Sequence, residues 1–167
     1  NNLTNKVYIN GNIYAANDAK VSIFDRGYLF SDGVYELIPY FNSKPFLLEE
    51  HYSRLQKSLE MLEIEKPYRK DKWLSSIETQ TKRSQFENNN KNIQATRGMP
   101  KNFDDNILRE HAATKDYQTC TSMFYSKINS LKNKKISSKK AITLEDKRWM
   151  KCDIKSVSLL YNSYAKT

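Results

Sequence analysis

Five apolar residues at helical spacing, Leu48, Tyr52, Leu55, Leu59 and Leu62, set the strongest constraint on this fold. They form one stripe along a helix, and such a stripe must be covered by another layer. The residues before it supply that layer. Val7-Tyr8-Ile9 and Ile13-Tyr14 flank Asn10-Gly11, a dipeptide that accepts the positive φ angles of a tight type I′ hairpin turn. Asp25-Arg26-Gly27 and Ser31-Asp32-Gly33 mark two more turns. Val34-Tyr35-Glu36-Leu37-Ile38 reads as a strand, and Asn42-Ser43-Lys44 turns it into Pro45-Phe46-Leu47. A second, shorter helix is predicted over Asp71–Thr81, with Trp73, Leu74 and Ile77 inward. Hairpins followed by helices make an α+β domain.

Beyond it the pattern weakens. Asn88-Asn89-Asn90, within a polar run from Lys82 to Asn92, reads as a loop. Ile93-Gln94-Ala95-Thr96 is a short strand entering a turn at Arg97-Gly98, and residues 99–116 carry little periodicity. Met123-Phe124-Tyr125 and Ala141-Ile142-Thr143-Leu144 have strand character, and Val157 to Tyr164 could open a helix. The net charge of +9 invites a nucleic-acid reading, but it is local. Lys127 to Lys155 hold ten of the 28 basic residues and three of the 19 acidic ones, densest at Lys132-Asn133-Lys134-Lys135 and Lys139-Lys140. Lysines interleaved with Ser and Asn read as a solvated linker, and no aromatic–basic interleaving favours a nucleic-acid partner. Cys120 and Cys152 cannot build a disulfide framework, and no Cys/His spacing reads as a zinc or other metal site. No apolar run approaches ~18 residues, so no membrane span is expected, and Asn1-Asn2-Leu3-Thr4 does not look like a secretory signal. A reduced, cytoplasmic setting is the default expectation.

Two separated stretches carry a resemblance. The first is Asp25-Arg26-Gly27-Tyr28-Leu29-Phe30-Ser31-Asp32-Gly33-Val34-Tyr35-Glu36, followed by Glu50-His51-Tyr52-Ser53-Arg54-Leu55. The second is Arg148-Trp149-Met150-Lys151-Cys152-Asp153-Ile154-Lys155-Ser156, continuing through Leu159-Leu160. With Thr96-Arg97-Gly98 between them, this ordered set resembles the class IV pyridoxal-phosphate aminotransferases, most closely the D-amino-acid enzymes. The resemblance is strong over residues 6–81 and 141–166 and poor between. It implies a small N-terminal domain over residues 1–128. Residues 129–167 would then be a linker and the opening strand and helix of a large cofactor-binding domain.

The resemblance also implies roles. Lys155 matches the lysine that holds pyridoxal 5'-phosphate covalently and shuttles a proton, work that needs an amine able to act as nucleophile and base. Arg54 matches the arginine that binds the cofactor phosphate, a task suited to a planar, permanently charged fork. Without the family, it reads as an exposed helix arginine pairing with Glu50. Tyr35 matches a tyrosine that hydrogen-bonds the substrate carboxylate, whereas Glu36 alternates to the opposite face and is given no role.

Two departures accompany these matches. The D-amino-acid enzymes carry an Arg-x-His carboxylate grip after the Thr-Arg-Gly turn, where this chain has Asn102 and Asp104. Arg109-Glu110-His111 lies a little further on, so Arg109 and His111 are the candidate grip, against a reading as a solvated charged turn. Second, the chain stops at Thr167, where roughly half of the family's length would follow. The expected activity is amino-group transfer between an amino acid, a D-amino acid such as D-alanine first, and a 2-oxo acid. An intact enzyme would work as a homodimer. Alternatives are a branched-chain aminotransferase, an aminodeoxychorismate lyase, or a truncated relative without catalysis.

Overall fold

The computed structural model describes residues 4–82, 86–102, 116–128 and 140–165. Lys6–Ile9 (β1) and Asn12–Ala15 (β2) form the expected hairpin, with Asn10 at φ 48° and Gly11 at φ 97°. Arg26–Phe30 (α1) is one short helical turn that takes in Arg26-Gly27, so the turn expected at Asp25-Arg26-Gly27 is instead the start of a helix. Its cause is local: the Asp25 carboxylate accepts the Gly27 amide at 2.7 Å as an N-cap, and Ser31 closes the turn at φ 56°. Gly33–Phe41 (β3), Lys44–Pro45 (β4), Leu48–Met61 (α2) and Lys70–Lys82 (α3) follow.

Asn89–Pro100 (β5) and Tyr117–Lys127 (β6) complete the sheet, whose order is β2-β1-β6-β5-β3-β4 with every neighbouring pair antiparallel. The loop expected at Asn88–Asn90 is therefore corrected. From Asn89 onward the chain is a central strand, laddered to β3 on one side and to β6 on the other. Placement between two partners overrides the weak strand propensity of asparagine. Asn88 keeps a loop role, its side-chain oxygen accepting the Asn42 amide at 3.0 Å. Arg97-Gly98 is likewise not a reversing turn but a register shift inside β5. Gly98 has φ 82°, and a Cβ there would overlap the Gln118 carbonyl of β6, so the irregularity requires glycine.

The core lies between one face of the sheet and the two long helices. Tyr8, Val34, Ile38, Tyr40, Ile93, Ala95 and Met123 pack against Leu55, Leu59, Ile64, Trp73 and Ile77. The apolar stripe on α2 faces the sheet as its spacing requires, with Leu55 and Leu59 buried. Ionisable groups interrupt this apolar layer, Glu36 and Lys91 on the core face of the sheet among them. Lys91 is fully buried, directly opposite Tyr125 on β6, with its Nζ 4.7 Å from the Tyr125 ring and 5.0 Å from the Tyr40 ring. Its Nζ donates to the Ile77 carbonyl of α3 at 2.5 Å, and burial pushes the amine down to about 7. A separate charged cluster centres on the Asp32 carboxylate at the entry to β3. It accepts from Arg26 Nε at 2.7 Å and from Arg97 Nε at 2.7 Å and Nη2 at 3.2 Å. Arg97 also donates to the carbonyls of Leu62 at 2.7 Å and Glu63 at 2.9 Å, in the turn just past α2, where the chain leaves the helix.

The segment after residue 140 departs from expectation. Ala141–Leu144 forms no strand: Ile142 and Leu144 are exposed, and no ladder joins them to another described residue. A strand is stable only through its partners, and propensity alone does not make one. The helix expected from Val157 begins later, at Leu160–Tyr164 (α4). The domain boundary expected after residue 128 and the densest lysines, Lys132 to Lys139, fall outside the described residues. No helix among the described residues is long and apolar enough to cross a membrane.

Two outcomes follow from the buried charges. Arg97→Met removes both of its hydrogen bonds to Asp32, leaving that of Arg26, and frees the Leu62 and Glu63 carbonyls, and should cost about 3 kcal/mol in urea unfolding. Lys91 is held below its ordinary range, so the unfolded chain binds more protons between about pH 7 and Lys91's usual 10.5. Stability should therefore fall as pH drops from 9.5 to 7.5, with a slope approaching about 1.4 kcal/mol per pH unit. Lys91→Met should flatten that slope.

Candidate active site

β3 and α2 converge on the second matched segment. Helical spacing sets His51, Arg54 and Ser58 at i, i+3 and i+7, along the edge of α2 beside its buried Leu55 and Leu59. Ser58 is buried, and its hydroxyl accepts the Lys155 amide at 3.2 Å. The start of β3 takes the same segment as an added antiparallel pair. Tyr35 N donates to the Lys155 carbonyl and Val157 N to the Gly33 carbonyl, both at 3.0 Å, around a Val34–Ser156 bridge. Ile154 is buried in the core next to it. Lys155 is thus pinned on both sides through its backbone, which leaves its side chain to be placed by contact. Its ammonium stands 4.1 Å from the centre of the Tyr35 ring, a cation–π approach.

Tyr35, Arg54 and Lys155 line one cavity of about 570 Å³, within the range of small-molecule sites. Arg148, Cys152, Ser156, Ser158 and Tyr161 share its wall. Arg148 is a second guanidinium there, held by Asp146 at 2.9 Å and 2.6 Å. The paired arginine pulls the Asp146 carboxyl down to about 2. Arg54 does not pair with Glu50. Its partner is Glu36, which accepts Nε at 2.5 Å and Nη2 at 2.8 Å and lies 2.8 Å from His51 Nδ1. Burial of Glu36 raises its carboxyl, and the hydrogen bonds from Arg54 and His51 outweigh it, leaving the group below its usual range.

Three of the five residues singled out in the sequence are therefore brought together: Lys155, Arg54 and Tyr35. Arg109 and His111 lie outside the described residues. Sequence reasoning passed over Glu36, His51, Ser58 and Arg148. Glu36 carried a readable signal, since it shares the core-facing phase of Val34 and Ile38, where a carboxylate needs partners. Among the described residues, no group of three or more His, Cys, Asp and Glu side chains could hold a metal ion.

The amino-transferase class IV family model matches residues 33–167. The chain belongs to the class IV aminotransferase family. D-alanine aminotransferase of Staphylococcus haemolyticus is 34% identical over 162 residues, spanning 96% of this chain and 55% of the relative. That of Listeria innocua is 34% identical over 161 residues, spanning 96% and 54%. The chain thus spans about half the length of the curated relatives it matches. Among solved structures, the Escherichia coli branched-chain amino acid aminotransferase has a TM-score of 0.63 at 17% identity, covering 74% of this chain and 41% of that one. A T.th. branched-chain amino acid aminotransferase with pyridoxamine 5'-phosphate has a TM-score of 0.66 at 17% identity, covering 77% and 41%. These two carry the fold: the α+β architecture here is that of the class IV aminotransferases, over part of their length.

The Ser58 anchor is directly testable. Ser58→Ala should cost about 1 kcal/mol of stability, and the Lys155 amide should exchange its hydrogen faster than in the unaltered chain. Unchanged exchange would show that β3 alone holds the segment.

Proposed function

We propose that this chain carries the lysine-bearing part of a pyridoxal 5'-phosphate site for transamination between an amino acid, D-alanine or a similar D-amino acid first, and a 2-oxo acid. The observation that carries the reading is the convergence of Lys155, Tyr35 and Arg54 on one cavity of about 570 Å³. The donor set fits the group. Lys155 offers an amine for a covalent link, Arg54 a fixed cation for a phosphate, and Tyr35 an aromatic wall with a hydroxyl. When bound, pyridoxal phosphate supplies a ring that draws electrons from the substrate α-carbon. The chain's own part is to hold and move a proton at Lys155 Nζ and to fix the phosphate through Arg54. Tyr35, with Arg109 and His111 as the proposed grip, orients the substrate carboxylate. The D-amino-acid preference rests on the 34% identity to the two D-alanine aminotransferases. A homodimer and a reduced, cytoplasmic setting belong to the same reading, and both cysteines are free.

The chain mixed with pyridoxal 5'-phosphate and reduced with borohydride should be labelled at Lys155 in the modified peptide. Labelling at Lys147, which lines the same cavity, or scattered over the lysines of residues 127–151, would overturn the assignment. Lys155→Ala should abolish the label while leaving the fold intact, because the anchoring of that segment is through its backbone.

A further inference from the structure

Glu36 occupies a core position. Its neighbours in phase along β3, Val34, Ile38 and Tyr40, are buried, and Glu36 itself is 1% exposed. A carboxylate in such a place needs partners, and α2 provides two. Arg54 gives it the Nε and Nη2 edge of the guanidinium, at 2.5 Å and 2.8 Å, and His51 Nδ1 lies 2.8 Å away. An ionised carboxylate only accepts, so the hydrogen on His51 sits on Nδ1 and points to Glu36. The 3.3 Å approach of Arg54 Nη2 to that same nitrogen is then not a hydrogen bond.

A guanidinium has five N–H groups. Glu36 engages two, leaving both on Nη1 and one on Nη2. Those belong to a side chain that is half exposed and lines the same cavity as Lys155. A side-on, two-point grip fixes the plane of the guanidinium as well as its position, and a single-point pair does not. A lysine at this position could neutralise Glu36 but could not also present a second, oriented edge.

Resting on the functional reading above, we propose that Glu36 is a positioning residue for anion binding. By holding the Nε–Nη2 edge of Arg54 from inside the core, with His51 bracing the same carboxylate, it presents the Nη1 end of the fork to the phosphate of the ligand in the cavity.

The test compares dissociation constants of the full chain for pyridoxal 5'-phosphate and for pyridoxal, whose ratio isolates the phosphate. Arg54→Gln should collapse that ratio. Glu36→Gln should lower it by about tenfold or more and should add little in an Arg54→Gln background. A Glu36→Gln chain that keeps the full ratio while Arg54→Gln loses it overturns the positioning role and leaves the functional reading standing. An Arg54→Gln chain that keeps the ratio overturns the reading as well. A purely structural Glu36 would lower the melting temperature and leave the ratio untouched. Should Glu36→Gln not fold, Arg54→Lys decides. It keeps the charge at a half-exposed position, and loss of the ratio supports the oriented fork, whereas full retention overturns it.

Discussion

The Asp32 carboxylate, closed between Arg97 and Arg26, is the interaction on which the rest of this structure depends. All three side chains are almost wholly withdrawn from solvent, at 11%, 1% and 3% exposure, so none can turn to water for compensation. The cluster joins four parts of the chain: the short helix α1, the start of β3, the irregularity in β5 and the end of α2. Arg97 contributes most to this, because one planar group both pairs with Asp32 and holds the two carbonyls of the turn that follows α2. Thr96 adds a further tie by donating to Asp25, the N-cap of α1, at 2.8 Å. The tripeptide Thr96-Arg97-Gly98 is thus explained by packing and capping alone.

That tie matters for the site because the candidate lysine is held by the same two elements. The first residues of β3 receive the Lys155–Val157 backbone, and α2 receives the Lys155 amide through Ser58. Fixing the start of β3 and the end of α2 against each other therefore fixes the distance between Lys155, Tyr35 and Arg54. Sites that must place groups within fractions of an ångström are built on rigid elements in this way. The charges divide accordingly: Asp32 and its arginines hold the frame, while Glu36 holds the one arginine that faces the cavity from α2.

Much of this was legible in the sequence. The α2 stripe, the Asn10-Gly11 hairpin and the Trp73–Ile77 helix were set by local period and turn chemistry, which act within a few residues. The full lengths of β5 and β6 were not, because Asn89 to Asn92 and Tyr117 to Cys120 become strands only by being laddered to neighbours far along the chain. Ala141–Leu144 is the reverse case, with strand-like composition and no partner among the described residues. Lys155, Arg54 and Tyr35 were found through the family resemblance rather than through periodicity, which would have left Lys155 one lysine among many. Glu36 was not legible as a site residue from alternation alone, which sets it on the face opposite Tyr35 but does not show the α2 side chains that meet it there.

Under the proposed function, β3, α2 and the Lys155 segment act as one binding unit for a phosphorylated pyridine aldehyde. Hydrogen exchange of the chain with and without pyridoxal 5'-phosphate tests it most directly. The account predicts that amides of Val34–Glu36, His51–Ser58 and Ile154–Val157 gain protection together, at the same ligand concentration. Protection confined to the lysine-rich stretch, or none at saturating ligand, would contradict it.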